Sequence, residues 1–166
     1  RDALTIFDQT VAFCGTDVKY QDVLRNLNVL DYEYSFALVD AFLKTKTDKK
    51  LVIAGGVSDS DEYGKQLIEL AKADERILFT GYVEEQLLGE LYSNAYLYVL
   101  PSDLEGMPLS LLEAMSYGNC CLTSDIPECS QVTGEKGFTL RKSDTEVFSI
   151  SFASLSSRMP PTVSLR

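Results

Sequence analysis

Short apolar runs alternate with longer amphipathic segments from residue 35 onward, and this alternation constrains the fold more than any other feature. The runs "KLVIAG" (50–55), "RILFTG" (76–81), "YLYVLPS" (96–102), "NCCLTSD" (119–125) and "GFTLR" (137–141) have the length and continuous apolarity of buried strands. Between them lie helical patterns. Leu67, Ile68, Leu70 and Ala71 recur at helical spacing in 59–74, with Asp59 or Ser60 placed to cap its start. Leu87, Leu88, Leu91 and Tyr92 share one face of 84–95. In 108–118 Pro108 suits the first turn and Gly118 the stop. A further helix, "SFALVDAFLKT" (35–45), precedes the first of these strands, and "SDTEVFSI" (143–150) begins a last one. Strand, helix, strand with short links predicts an α/β fold, a parallel sheet covered by helices on both faces.

The two ends read differently. Residues 1–34 hold one strand-like run, "TVAFCG" (10–15), followed by a polar, weakly patterned stretch. The segment 149–166 is rich in serine and carries Pro160-Pro161, the composition of a poorly ordered tail. The expected organisation is therefore a divergent segment 1–34, a folded domain 35–148 and a tail 149–166.

Composition removes several classes of function. A net charge of −10 over 166 residues repels phosphate backbones, so nucleic acid is not an expected partner. Histidine is absent, which excludes Ser–His and Cys–His nucleophile chemistry within this chain. Cys14, Cys120, Cys121 and Cys129 form no CxxC pair, so no zinc site is expected and they read as buried thiols of a reducing cytosol. Cys120 and Cys121, adjacent in a strand, should point to opposite faces. No apolar run reaches membrane-spanning length, and no signal-peptide pattern stands at "RDALTIFDQT".

Ligands of parallel sheets bind outside the carboxyl ends of the strands. Three loops qualify: "GGVSDSD" after 50–54, "GYVEE" after 76–80 and "SDLEGMP" after 96–100. The first lacks the glycine spacing of a dinucleotide fingerprint or a P-loop. The third is more specific. Gly106-Met107-Pro108 opens a helix whose N–H groups and positive dipole end form a natural seat for phosphate. Glu105 stands at the rim. Glu113 lies among Leu, Ala and Met in an apparently buried helix, where a carboxylate needs donors, and the two hydroxyls of a ribose would supply them.

The run Glu105–Met115, "EGMPLSLLEAM", resembles the E-x(7)-E signature of glycosyltransferase family 4, in the GT-B fold class. "LVIAGG" resembles the strand and loop before that family's nucleotide site, "RILFTGYV" its F-x-G-x-V turn, and "LYSNAYLYVLPS" its helix-to-strand passage. "YGNCCLTSDIPE" resembles its G-x-P-V run, with Cys120 where proline is usual. The similarity covers about residues 35–148. It implies a Rossmann-like parallel sheet flanked by helices, the C-terminal, donor-binding half of a GT-B enzyme. Glu105 would contact the donor hexose beside the reacting anomeric centre. The backbone of Gly106, Met107, Pro108 and Leu109 would hold sugar hydroxyls and diphosphate, and Glu113 the ribose. The main chain at Tyr82 and Val83 would meet the base, with Gly55 and Gly56 in the adjoining loop. The donor would be an NDP-sugar, UDP being the commonest base, and neither metal nor cofactor is implied. The family is largely retaining, and its acceptor, a glycan or lipid, binds a separate N-terminal domain. Such enzymes serve polysaccharide biosynthesis in the cytoplasm, peripheral to the membrane when complete.

Two departures stand beside the resemblance. The family's diphosphate-binding Arg and Lys correspond, counting back from "VDAF" (39–42), to Asn28 and Glu33, and neither is basic. A chain of this length also has no room for an acceptor domain, so alone it should transfer sugar poorly or not at all. The rival readings are a non-catalytic nucleotide-sugar module or degenerate fragment, a receiver-like signalling domain, and a GT-B epimerase. The E-G-M-P-x-x-x-x-E pattern favours the transferases over the last.

Overall fold

Six strands pair in parallel to form one sheet in the computed structural model, which describes residues 10–14, 29–55, 62–81, 83, 85–102, 105–134 and 137–140. In chain order the elements are β1 (Thr10–Cys14), α1 (Val29–Lys44), β2 (Lys50–Ala54), α2 (Glu62–Ala71), β3 (Ile77–Gly81), α3 (Glu85–Asn94), β4 (Ala95–Leu100), α4 (Leu109–Ser116), β5 (Cys121–Ser124), α5 (Pro127–Thr133) and β6 (Phe138–Leu140). The strands stand side by side as β3-β2-β1-β4-β5-β6. The chain winds outward from β1 to β3, returns to β4 on the other side of β1, and winds outward again. The direction reverses between β1 and β4, the switch point at which ligands of such sheets bind.

The strand expected at 10–15 is therefore central rather than peripheral. Thr10–Cys14 pairs with Lys50–Ala54 on one side and with β4 on the other. The helix expected at 35–45 begins at Val29, upstream of the boundary drawn at 34. Helix α5 was not expected. Its signal is Pro127 at the first helical position after the extended Ile126. The expected cap at Asp59 or Ser60, the helix at 143–150 and the tail at 149–166 lie outside the described residues.

Alternation along the strands divides the core in two. Leu51, Ile53, Leu97, Val99 and Leu122 pack with Leu38, Val39, Ala41 and Phe42 of α1 and with Leu67 and Ala71 of α2. Val52, Ala54, Tyr98, Leu100 and Cys121 face the other way, onto Leu91 and Tyr92 of α3, Leu111 and Ala114 of α4, and Cys129 of α5. Cys120 joins the first cluster and Cys121 the second, the opposite faces that their adjacency predicts. One irregularity is local. Thr10 pairs with Ala95 but Val11 with Leu97, so Tyr96 is an extra residue in β4 and shares the α1 side with Leu97.

Arg76, just before β3, ties the amino ends of the sheet to the exit of α1. Its guanidinium donates to both oxygens of Asp74 and to the carbonyls of Thr45 and Thr47, and it stacks 4.9 Å from the Phe42 ring. That hydrogen bond, foremost, holds the Asp74 carboxyl below its ordinary value. A depressed acid stabilises the fold above its unfolded pKa of about 3.9 and loses that contribution as pH falls through the native value. Arg76→Ala should cost about 1–2 kcal/mol at neutral pH and lower Tm by several degrees in thermal circular dichroism. Its deficit against wild type should shrink in acid. An unchanged Tm would show the contact to be without weight.

The thiols give a second test. Burial pushes Cys121 and Cys129 up to about 12. At pH 8 only about one molecule in ten thousand would carry either as the reactive thiolate. Iodoacetamide should leave both unmodified in the folded chain and alkylate both after unfolding. Native labelling at the rate of a free thiol would contradict this packing.

Candidate active site at the mouth of helix α4

Strand β4 runs buried to Leu100, and Pro101 then removes a donor and ends it. The Ser102 N–H donates to Ser124 Oγ at 2.9 Å, with both residues almost fully buried. This bond fixes the end of β4 to the end of β5 and so sets where the next loop leaves the sheet.

The loop turns into α4 through Pro108, which caps the helix instead of lying in its first turn as the sequence suggests. Pro108 is the cap, at φ −77° and ψ 74°, and Leu109 N–H bonds Met107 O at 2.8 Å. These are the marks of an inverse γ-turn, which the proline ring presets. Leu111 and Leu112 N–H groups both reach Pro108 O at 3.1 Å, so fewer donors remain at the helix mouth than the motif alone suggests. Pro108 is buried, whereas Gly106 and Met107 are exposed. A Cβ added at Gly106 would meet nothing within 4 Å. The fold itself does not require glycine there.

The far end of α4 closes as a Schellman motif. Asn119 N–H bonds Ala114 O, Gly118 N–H bonds Met115 O, and Gly118 sits at φ 77°. Only Leu111 and Ala114 of this helix are buried. Leu109, Leu112 and Glu113 are exposed, so the helix that looks buried in sequence is buried on one face alone.

The two acids exchange the surroundings expected of them. Glu113 lies at the surface and accepts a hydrogen bond from Tyr92 Oη at 3.1 Å. Glu105 is half-buried with its Oε1 enclosed, and its charge contributes, after burial, to raising the Cys129 thiol. The carboxylate that points inward is therefore Glu105, from the loop, and the one at the rim is Glu113, from the helix.

Sequence reasoning missed the polar frame around Glu113. Tyr92 Oη also lies 3.2 Å from Ser110 O, and Tyr98 Oη donates to Ser110 Oγ at 2.9 Å. Asn119 Nδ2 donates to Tyr92 O and to Ala114 O, bridging α3 and α4. Tyr117 stacks on the Tyr92 ring at 5.4 Å. Tyr92 stood out in sequence only as one apolar position of a helix face. Leu87, placed on that same face, is at the exposed margin.

The neighbouring loops start from a tied pair of glycines. Gly55 N–H donates to Gly81 O at 3.0 Å, so the Gly55 donor is occupied within the fold. Val83 packs against the α3–α4 side of the core. Gly56 and Tyr82 lie outside the described residues, as does Asn28. Glu33 falls within α1. β1 ends at Cys14, so the pair that directly follows the first strand in sequence is Gly15-Thr16, again without a cation. Among the described residues no cluster of three acidic or cysteine side chains could hold a metal, and no helix is long and apolar enough to cross a membrane.

Comparison with known proteins gives the family and the fold. The chain is 31% identical over 107 residues to O-antigen chain mannosyltransferase B of Escherichia coli, covering 64% of this chain and 28% of that protein. It is 33% identical over 90 residues to the lipopolysaccharide 1,6-galactosyltransferase of Salmonella typhimurium, covering 53% and 25%. It thus spans about a quarter of the length of the curated relatives it matches. Among solved structures, Anabaena HepE in complex with UDP and glucose superposes with a TM-score of 0.71 at 15% identity, over 93% of this chain and 40% of that one. The lipopolysaccharide outer core galactosyltransferase WaaB superposes at 0.63 with 23% identity, over 90% and 40%. These structures share the GT-B fold. The family model described as "Glycosyl transferases group 1" matches residues 27–157, most of the chain, and the protein belongs to that family.

Proposed function

We propose that this chain is the donor-binding, C-terminal part of a family 4 glycosyltransferase that moves a hexose from an NDP-sugar to a glycan or lipid acceptor with retention. The observation that carries the reading is the open mouth of α4. It lies at the carboxyl end of β4, beside the switch point of the sheet, with Glu105 in the loop that leads into it and Glu113 on the helix that follows. Gly106 adds weight, because nothing among the described residues crowds its missing side chain. A glycine there leaves room for close approach of a ligand to backbone.

In this reading the diphosphate lies against the backbone at Gly106–Leu109 and the positive end of α4. The hexose sits over Glu105, whose inward carboxylate lies beside the anomeric carbon and accepts from sugar hydroxyls. Glu113 takes the two ribose hydroxyls. It does so as an exposed acid of the crevice wall, not as a buried one seeking compensation. The base lies along the main chain at Tyr82 and Val83, next to the loop that begins at Gly55 and Gly56. UDP is the expected nucleotide. The acceptor binds a domain beyond this chain, and the complete enzyme works in the cytoplasm at a membrane surface. The reaction needs no metal, because the helix end and the acceptor half share the neutralisation of the leaving group.

A second reading, a nucleotide-sugar module without catalysis, is favoured by one observation. Glu33 carries a negative charge where the family holds the diphosphate with lysine.

Calorimetric titration with UDP, GDP and ADP separates these readings from a degenerate fold. One nucleotide should bind with a Kd on the order of micromolar, and Glu113→Ala should weaken it about tenfold or more. Transfer activity on joining an acceptor domain, abolished by Glu105→Gln, would then decide for the enzyme. Binding by none of the three would leave the family's fold without its donor pocket.

A further inference from the structure

Resting on the reading of Glu113 as the ribose ligand, we infer that Tyr92 is a positioning residue that presets the Glu113 carboxylate for the two hydroxyls. A glutamate on an exposed helix face samples many rotamers, and binding a diol must select one of them. Here the selection is made beforehand. The single proton of Tyr92 Oη has two acceptors in reach, Ser110 O at 3.2 Å and Glu113 Oε2 at 3.1 Å. The carboxylate is charged and attracts it more strongly. Holding Oε2 leaves Oε1 and a further lone pair of Oε2 for outside donors.

The tyrosine is itself held on every side. Its ring is buried, stacked on Tyr117 at an interplanar angle of 22° and tilted against Tyr98 at 6.0 Å. Its carbonyl accepts from Asn119 Nδ2, and the same amide binds Ala114 O one residue beyond Glu113. The amide thereby fixes α3 against α4 at the level of the acid. Tyr98 Oη secures Ser110, one turn before Glu113, from the sheet side. The frame is rigid where the glutamate alone would be mobile, which is the condition for a preorganised site.

The test compares ribose with its absence. Tyr92→Phe keeps the ring and its stacking and removes only the hydroxyl. With the tightest binder of UDP, GDP and ADP, it should weaken affinity about tenfold while Tm stays near wild type. The 2′,3′-dideoxy form of the same nucleotide should bind wild type and Tyr92→Phe alike. In a Glu113→Ala background, Tyr92→Phe should have no further effect. Asn119→Ala, which keeps the hydroxyl but releases the tyrosine backbone, should give a smaller loss, again confined to the ribose form. Equal weakening of ribose and dideoxy nucleotides, or additive effects of the two substitutions, would overturn the positioning role. So would undiminished binding by Tyr92→Phe when Glu113→Ala binds poorly. A wild-type chain that binds none of the three nucleotides, or binds one undiminished by Glu113→Ala, would overturn the ribose reading itself and this inference with it.

Discussion

The two-sided pairing of β1 organises everything else in the molecule. A parallel strand cannot be reached by a tight turn, so each of its neighbours must arrive by a crossover that carries a helix. With β2 on one flank and β4 on the other, those crossovers cover opposite faces, and both faces of the central strands become interior. That is why the strands read as unbroken apolar runs. It is also why the candidate site lies where it does. The order of the strands reverses between β1 and β4, and the mouth of α4 lies at the carboxyl end of β4 beside that reversal.

Fold class and most elements were legible because the β2-to-β5 part of the chain is locally consistent. Apolar runs end at Gly81, Pro101 and Asp125, and the helices between them carry an apolar face. What escaped was set by distant partners. "TVAFCG" has no helical pattern directly after it, so its central place shows only once β2 and β4 have been aligned on either side. Helix α5 is a short element whose anchors, Cys129 and Thr133, look unremarkable as letters and are buried only because β5 lies beneath them.

The site was legible as positions and misread as environments. The E-x(7)-E spacing puts Glu105 in the loop before α4 and Glu113 within the helix, where the structure has them. It cannot say which is enclosed, because an apolar run of leucines looks the same whether it covers a core or rims a crevice. The answer came from register on the helix. Leu111 and Ala114, three apart, face the sheet, and Glu113 follows Leu112 onto the open side. Tyr92, Tyr98 and Asn119 were invisible as a group because they come from α3, β4 and the turn after α4, and only the packed fold brings them to Glu113.

Charge remains the decisive quantity for what such a site does. A nucleoside diphosphate brings at least two negative charges into a chain whose own balance is −10. The end of one helix offers about half a positive charge. The residues after β1 and the start of α1 offer no cation in the family's places, and Glu33 adds an opposing one. In the proposed reading, recognition would therefore lean on hydroxyls and backbone: Glu113 on the ribose, Glu105 on the hexose, and the N–H groups around Gly106. The ribose and backbone contacts of that reading would grip the ground-state ligand and the departing diphosphate nearly equally, and uniform binding of that kind lowers no barrier, which leaves Glu105, beside the anomeric carbon, as the contact of this chain that could favour the transition state. In the same reading, the charge that builds as the glycosidic bond breaks would be stabilised in part by the end of α4 and for the rest by cations from the acceptor side of the crevice. Binding and catalysis would then be divided between the two halves, the donor held here and its leaving group neutralised in part from across the cleft.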